Sequence, residues 1–102
     1  MNQAQLMAQV KKMQAEMAKA QEELANTIVS GSAAGGAVTV EVSCDQRVKR
    51  VRIGKEAVDP EDLETLEDLV TVAVNDALGK ASEASQNRMA SVTGGMRIPG
   101  LM

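Results

Sequence analysis

Hydrophobic positions along this chain follow two helical rhythms separated by one alternating stretch. Over residues 63–78 (LETLEDLVTVAVNDAL) they recur in steps of three and four, at Leu63, Leu66, Leu69, Val70, Ala73, Val74, Ala77 and Leu78. Such steps mark one face of an α-helix. Glu64, Glu67, Asp68, Thr71, Asn75 and Asp76 take the opposite face. Asp59 can cap the entry, Pro60 suits a first helical position, and Glu61 and Asp62 complement the positive end of the helix dipole. Val58 is placed to pack back on Leu63, and the start falls at Pro60 or Leu63. After Leu78 the pattern thins. Gly79 interrupts it, at a cost of about 1 kcal/mol against Ala. Residues 80–92 (KASEASQNRMASV) then carry only Ala81, Ala84, Ser85 and Met89 as a narrow stripe. Small residues admit another helix at close range, so this half is expected to project past the sheet and run antiparallel to the first helix. Thr93-Gly94-Gly95 stops it. A helix is predicted over 60–92.

Residues 2–26 show the other helical rhythm. Leu6, Val10, Met13, Met17, Ala20 and Leu24 are spaced 4, 3, 4, 3, 4, a heptad seam narrower than the face of a globular helix. No Gly or Pro interrupts it, and Ala, Gln, Glu, Lys and Met favour helix. At about 1.5 Å per residue this helix is nearly 40 Å long, whereas a short strand covers roughly 17–20 Å. Part of the seam must therefore meet another helix, either the second helix of the same chain or a helix of a second copy.

The alternating stretch lies between. Residues 27–32 (TIVSGS) read as a short strand and 33–36 (AAGG) as a turn. Residues 37–44 (AVTVEVSC) alternate strictly, with Val38, Val40, Val42 and Cys44 inward and Thr39, Glu41 and Ser43 outward. Asp45-Gln46 forms a tight hairpin turn that lacks the favoured Gly. Residues 47–53 (RVKRVRI) return as a partner strand. Simple alternation puts Val51 and Ile53 on one face with Lys49, and Val48 on the other with Arg50 and Arg52. The mismatch points to a bulge or a two-sided edge. The expected fold class is α+β: an α-β-β-β-α subunit with a small antiparallel sheet flanked by two long helices. One open sheet edge invites pairing with a second chain. Residues 1–95 make a single domain (1–26 helix, 27–54 three-stranded sheet, 60–92 helix), and 96–102 (MRIPGLM) a flexible tail.

Composition narrows the chemistry. The 102 residues contain no Phe, Trp, Tyr or His, so the core must be aliphatic. Without His, a Ser-His or Cys-His nucleophile pair is impossible. The single Cys44 excludes an intramolecular disulfide and a Cys/His zinc site; its place in the alternation makes it a buried thiol, the alternative being a reactive one. The carboxylates of 56–68 read as a capped, solvated helix start, with a metal cluster as the alternative. Ser30-Gly31-Ser32 and Gly35-Gly36 lack the Gly-Lys-Ser/Thr of a phosphate loop. No apolar run approaches the roughly 20 residues of a membrane span, and no signal-peptide pattern opens the chain, which reads as cytosolic. No cofactor, metal, membrane or small-molecule substrate is called for.

Net charge is −3, but its distribution is uneven. Residues 56–68 hold seven acids and no base; elsewhere eleven bases face seven acids, leaving that remainder at +4. Segment 27–55 alone is +3. An acidic belt on a mildly basic body is compatible with DNA binding, while scattered charge alone describes any solvated surface. Lacking aromatics, the chain cannot stack bases in the manner of single-strand readers. Contacts to DNA would run from Lys, Arg and small polar groups to phosphate.

Longer motifs sharpen this. Gln9 to Leu24 follows the pattern QxxxMQxxMxxAQEEL. Val38-Thr39-Val40 is a VxV strand. Leu66-Glu67-Asp68-Leu69-Val70 runs into Ala73-Val74-Asn75-Asp76-Ala77. Met89-Ala90-Ser91-Val92-Thr93-Gly94-Gly95-Met96 is followed by Ile98-Pro99-Gly100. In these blocks, over nearly its whole length, the chain resembles the YbaB/EbfC family of bacterial nucleoid-associated proteins. It departs from the family in a nearly absent Gly-rich leader, which could remove DNA contacts, and in the missing turn Gly. The resemblance implies dimerisation through the sheet, helices protruding as arms, and binding of double-stranded DNA by the dimer. The expected DNA-binding residues are Lys11, Lys12 and Lys19 on the first helix, Lys80 and Arg88 on the last, and Arg97 in the tail. Arg47, Lys49, Arg50 and Arg52 rank second, because the sheet is expected to serve dimerisation and Glu41 to pair across the hairpin. For each cation the alternative is a solvated surface charge. A protein–protein adaptor using the helical seam and apolar tail is the competing function.

Overall fold

The structure, a computed structural model, describes residues 2–93. Helix α1 (Gln3–Ala25) leads into strands β1 (Ile28–Ala33), β2 (Val38–Ser43) and β3 (Arg47–Ile53), and helix α2 (Leu63–Thr93) closes the subunit. The sheet is an antiparallel meander in the order β1-β2-β3. This is the α+β, α-β-β-β-α architecture read from the periodicity.

The core is thin and aliphatic. Val38, Val40, Val42 and Cys44 of the central strand region are buried, and Ala73, Ala77 and Ala81 of α2 lie against them. Two small-residue features allow that approach. The alanines present no bulk, and Gly31 of β1 has none. A β-carbon on Gly31 would fall 2.6 Å from the Ala73 carbonyl oxygen and closer still to the Ala77 nitrogen. Burial raises the Cys44 thiol pKa, with the charge of Asp45 adding to the effect; the thiol is therefore kept protonated and packs as a small apolar group.

Helix α2 starts at Leu63, after the acidic turn. Asp62 is its cap: its carboxylate accepts the Thr65 N–H at 3.2 Å and the Thr65 hydroxyl at 2.6 Å. Asp59 instead accepts the Glu61 N–H at 2.9 Å and shapes the preceding turn. The Thr three residues after Asp62 supplies both donors, which is why the cap falls there. Val58 and Leu63 both remain about half exposed. Gly79 does not interrupt α2, which runs unbroken to Thr93.

The far end of α1 is fastened to the sheet. Cys44 N–H donates to the Leu24 and Thr27 carbonyls at 3.0 and 2.9 Å. The Asn26 amide and Thr27 hydroxyl cover the carbonyls of Glu22 and Glu23. The last helical carbonyls thus find partners. Ala20 and Leu24 are buried, and α1 packs on the C-terminal half of α2, where Arg88 bonds Glu23 at 2.9 Å. The expectation that the two helices meet is met for this lower part of the seam. From Gln3 to Lys12 every residue is exposed, and the subunit is elongated, 70 × 26 × 17 Å.

Candidate nucleic-acid interface

Strand β3 is the least covered element of the sheet. Helix α2 lies over β1 and β2, and every residue of β3 is exposed. Its register explains the awkward sequence RVKRVRI. Arg47 pairs with Ser43 and Val48 with Val42; then Lys49 is skipped, and Arg50, Val51, Arg52 and Ile53 pair with Glu41, Val40, Thr39 and Val38. The irregularity is a bulge at Lys49. It corrects the simple alternation. Val48 joins Val51 and Ile53 on the core face, in line with Val42, Val40 and Val38. Arg47 joins Arg50 and Arg52 on the outer face, in line with Ser43, Glu41 and Thr39. Three aliphatic side chains left 44% to 49% exposed thus back onto three arginines.

The two sheet edges differ. On β1, the N–H of Ser32 and the carbonyl of Ser30 point away from β2, as such groups do two residues apart on one strand. Both are taken by α2: the Asp76 carboxylate accepts the Ser32 N–H at 3.0 Å, and Lys80 Nζ donates to the Ser30 carbonyl at 3.1 Å. Asp76 and Lys80, one helical turn apart, also approach to 3.5 Å. The Ser32 N–H, then desolvation in opposition, then Lys80 act on the Asp76 carboxyl, with a net lowering of its pKa. No such clip covers β3 among the described residues.

The expected cations therefore divide by what else they do. Lys80 is occupied by the β1 edge and Arg88 by Glu23 and by Ser91 Oγ, also at 2.9 Å. The bond from Arg88 holds the Glu23 carboxyl below its ordinary range. Lys11, Lys12 and Lys19 stand exposed on α1. Arg47 lies 3.7 Å from Asp45, itself bonded by the Ser43 hydroxyl. Arg50 faces Glu41 in register without an ion pair within 4 Å, Arg52 faces Thr39, and Lys49 sits at the bulge. Arg97 and the tail lie outside the described residues. Sequence reasoning missed the Asp76–Lys80 clip, since nothing local distinguishes an edge-capping Asp from a solvated one. The bulge had left a signal in the out-of-step valines.

The acids of 56–68 surround the start of α2. Asp59 and Asp62 are used as turn and cap acceptors. Among the described residues no group of three acids, cysteines or histidines is placed to hold a metal ion, and no helix is long and apolar enough to cross a membrane.

Comparison with known proteins gives a consistent answer. A nucleoid-associated protein of Chloroflexus aurantiacus is 50% identical over 97 residues, 95% of this chain and 97% of its own. One from Alkaliphilus metalliredigens is 49% identical over 100 residues, 98% of this chain and 88% of its own. The crystal structure of an uncharacterized protein from Helicobacter pylori shares the fold, with a TM-score of 0.75 at 24% identity over 85% of this chain and 91% of that one. Residues 1–96 match the YbaB/EbfC DNA-binding family, and the chain belongs to that family.

Proposed function

We propose that this chain acts as a homodimer that binds duplex DNA in the nucleoid, mainly through phosphate contacts and without catalysing a reaction, and so organises the nucleoid or modulates transcription. Strand β3 carries the reading. Its uncovered aliphatic face and unclipped edge suit a second copy, while its arginines suit a polyanion. The family and the names of the relatives support DNA as the partner. Lys11, Lys12 and Lys19 of α1 and Lys49, Arg50 and Arg52 of β3, none of them bonded within the chain, lead the phosphate contacts of this proposal; Arg47, 3.7 Å from Asp45, joins them, and Lys80 and Arg88 fall behind because each is already hydrogen-bonded.

Sedimentation at micromolar concentration should give twice the 10.7 kDa chain mass, and Val51→Asp, which places a charge on the aliphatic face, should give the single chain. Titration of a fluorescent duplex over a salt series should then show affinity falling steeply with salt. A dimer that shifts no duplex even at low salt would favour the adaptor reading, for which the exposed Leu6, Met7 and Val10 at the tip of α1 offer a surface.

A further inference from the structure

We infer that the outer face of the sheet, and not only the helical arms, is a phosphate-binding surface, with Arg47, Arg50 and Arg52 as its cations. The inference rests on the DNA-binding reading above and names the site within it. Three observations point there. The bulge at Lys49 brings all three guanidinium groups to the face opposite α2. By strand alternation and register the rest of that face is Ser30, Ser32, Thr39 and Glu41, with Ile28 at its rim beside Ser43, which is buried and donates its hydroxyl to Asp45. Hydroxyl groups beside arginines are the usual donors to phosphate oxygens. Finally, the face is accessible: all three arginines, Ser30 and Ser32 are exposed.

Geometry and charge agree. Residues two apart on a strand are roughly 7 Å apart, and each strand of B-DNA carries one charge per about 3.4 Å of axis. Because the backbone also winds around that axis, neighbouring phosphates lie farther apart through space than the axial rise, and the spacing of Arg50 and Arg52 suits one phosphate step. The opposing charges are Glu41, in register with Arg50, and Asp45, 3.7 Å from Arg47. Neither cancels Arg52. The lysines of α1 belong to a different part of the molecule: Lys11 and Lys12 lie on the free stretch of the helix. The two groups can be tested separately.

The test compares two variants with the parent protein by fluorescence anisotropy on a labelled duplex over a potassium chloride series. One carries Arg47→Gln, Arg50→Gln and Arg52→Gln; the other carries Lys11→Gln, Lys12→Gln and Lys19→Gln. Each lost phosphate contact flattens the log–log salt slope by about 0.9, so the arginine variant should lose about 2.7 per contacting chain and bind at least tenfold more weakly at low salt. An arginine variant that keeps the parent's slope and affinity overturns the inference. A parent protein that binds no duplex overturns the functional reading itself, which is a separate result. Circular dichroism and sedimentation establish that the variant is folded and of parental mass. Should it not be, Glu41→Gln serves instead: removing the carboxylate opposite Arg50 should tighten binding several-fold, and unchanged affinity counts against the site. Replacing the three arginines by Lys should retain most of the slope; its loss there would show that charge is not what the face supplies.

Discussion

Glycine has opposite meanings at two positions of this chain. Gly31 lies where β1 and α2 touch backbone to backbone, and any side chain would have to push them apart. Gly79 lies in α2 with nothing within 4 Å of where a β-carbon would sit. Gly31→Ala should therefore cost about 3 kcal/mol or more, as overpacking in a close contact does, while Gly79→Ala should stabilise by up to about 1 kcal/mol. Chemical denaturation of the two variants measures both. The sequence shows each Gly equally plainly, yet nothing local says which one faces a neighbour. Ser30-Gly31-Ser32 reads as an unremarkable strand, and its meaning depends on Ala73 and Ala77, more than forty residues away. By contrast, the aliphatic core of Val38, Val40 and Val42 was legible, because alternation by itself sets the buried face.

At the scale of elements, α1 is two helices in one. Its lower seam, Ala20 and Leu24, is buried against the rest of the subunit, while Leu6, Met7 and Val10 stay 45% to 60% exposed. Leu24→Ala should destabilise by about 2–5 kcal/mol. Leu6→Gln together with Val10→Gln should move stability by no more than about 0.5 kcal/mol, as followed by thermal unfolding. The heptad spacing runs through both halves and gave no hint of where contact ends. The element order was readable from period alone, 3.6 for the helices and 2 for the strands. The start of α2 was not, since Asp59 and Asp62 are both competent caps and only the Thr65 hydroxyl decides between them. The basic strand shows the same limit: a bulge was signalled, but its place at Lys49, and with it the grouping of the arginines, follows from pairing with β2.

For the whole molecule, the asymmetry of the sheet has the widest reach. The Asp76 carboxyl has its folded pKa lowered, first by the Ser32 N–H and then, against desolvation, by Lys80. Its contribution to stability is therefore complete above the ordinary carboxylate value and is lost as pH falls through the lowered one. Asp76→Ala should be less stable than the parent at neutral pH, and the gap between their unfolding midpoints should close on acidification below about pH 4. Glu23 and Asp62 are also shifted down, so the difference between parent and variant, and not the acid limb of either, isolates Asp76. The same variant uncovers the Ser32 N–H, and concentrated samples should then sediment as species heavier than a pair. A ribbon with one flank shut and one left open can accept a neighbour once, after which the joined object has no free flank to offer. On the pairing proposed above, raising the concentration would fill the population of pairs and go no further, so the protein would crowd along a polymer without threading itself into fibres.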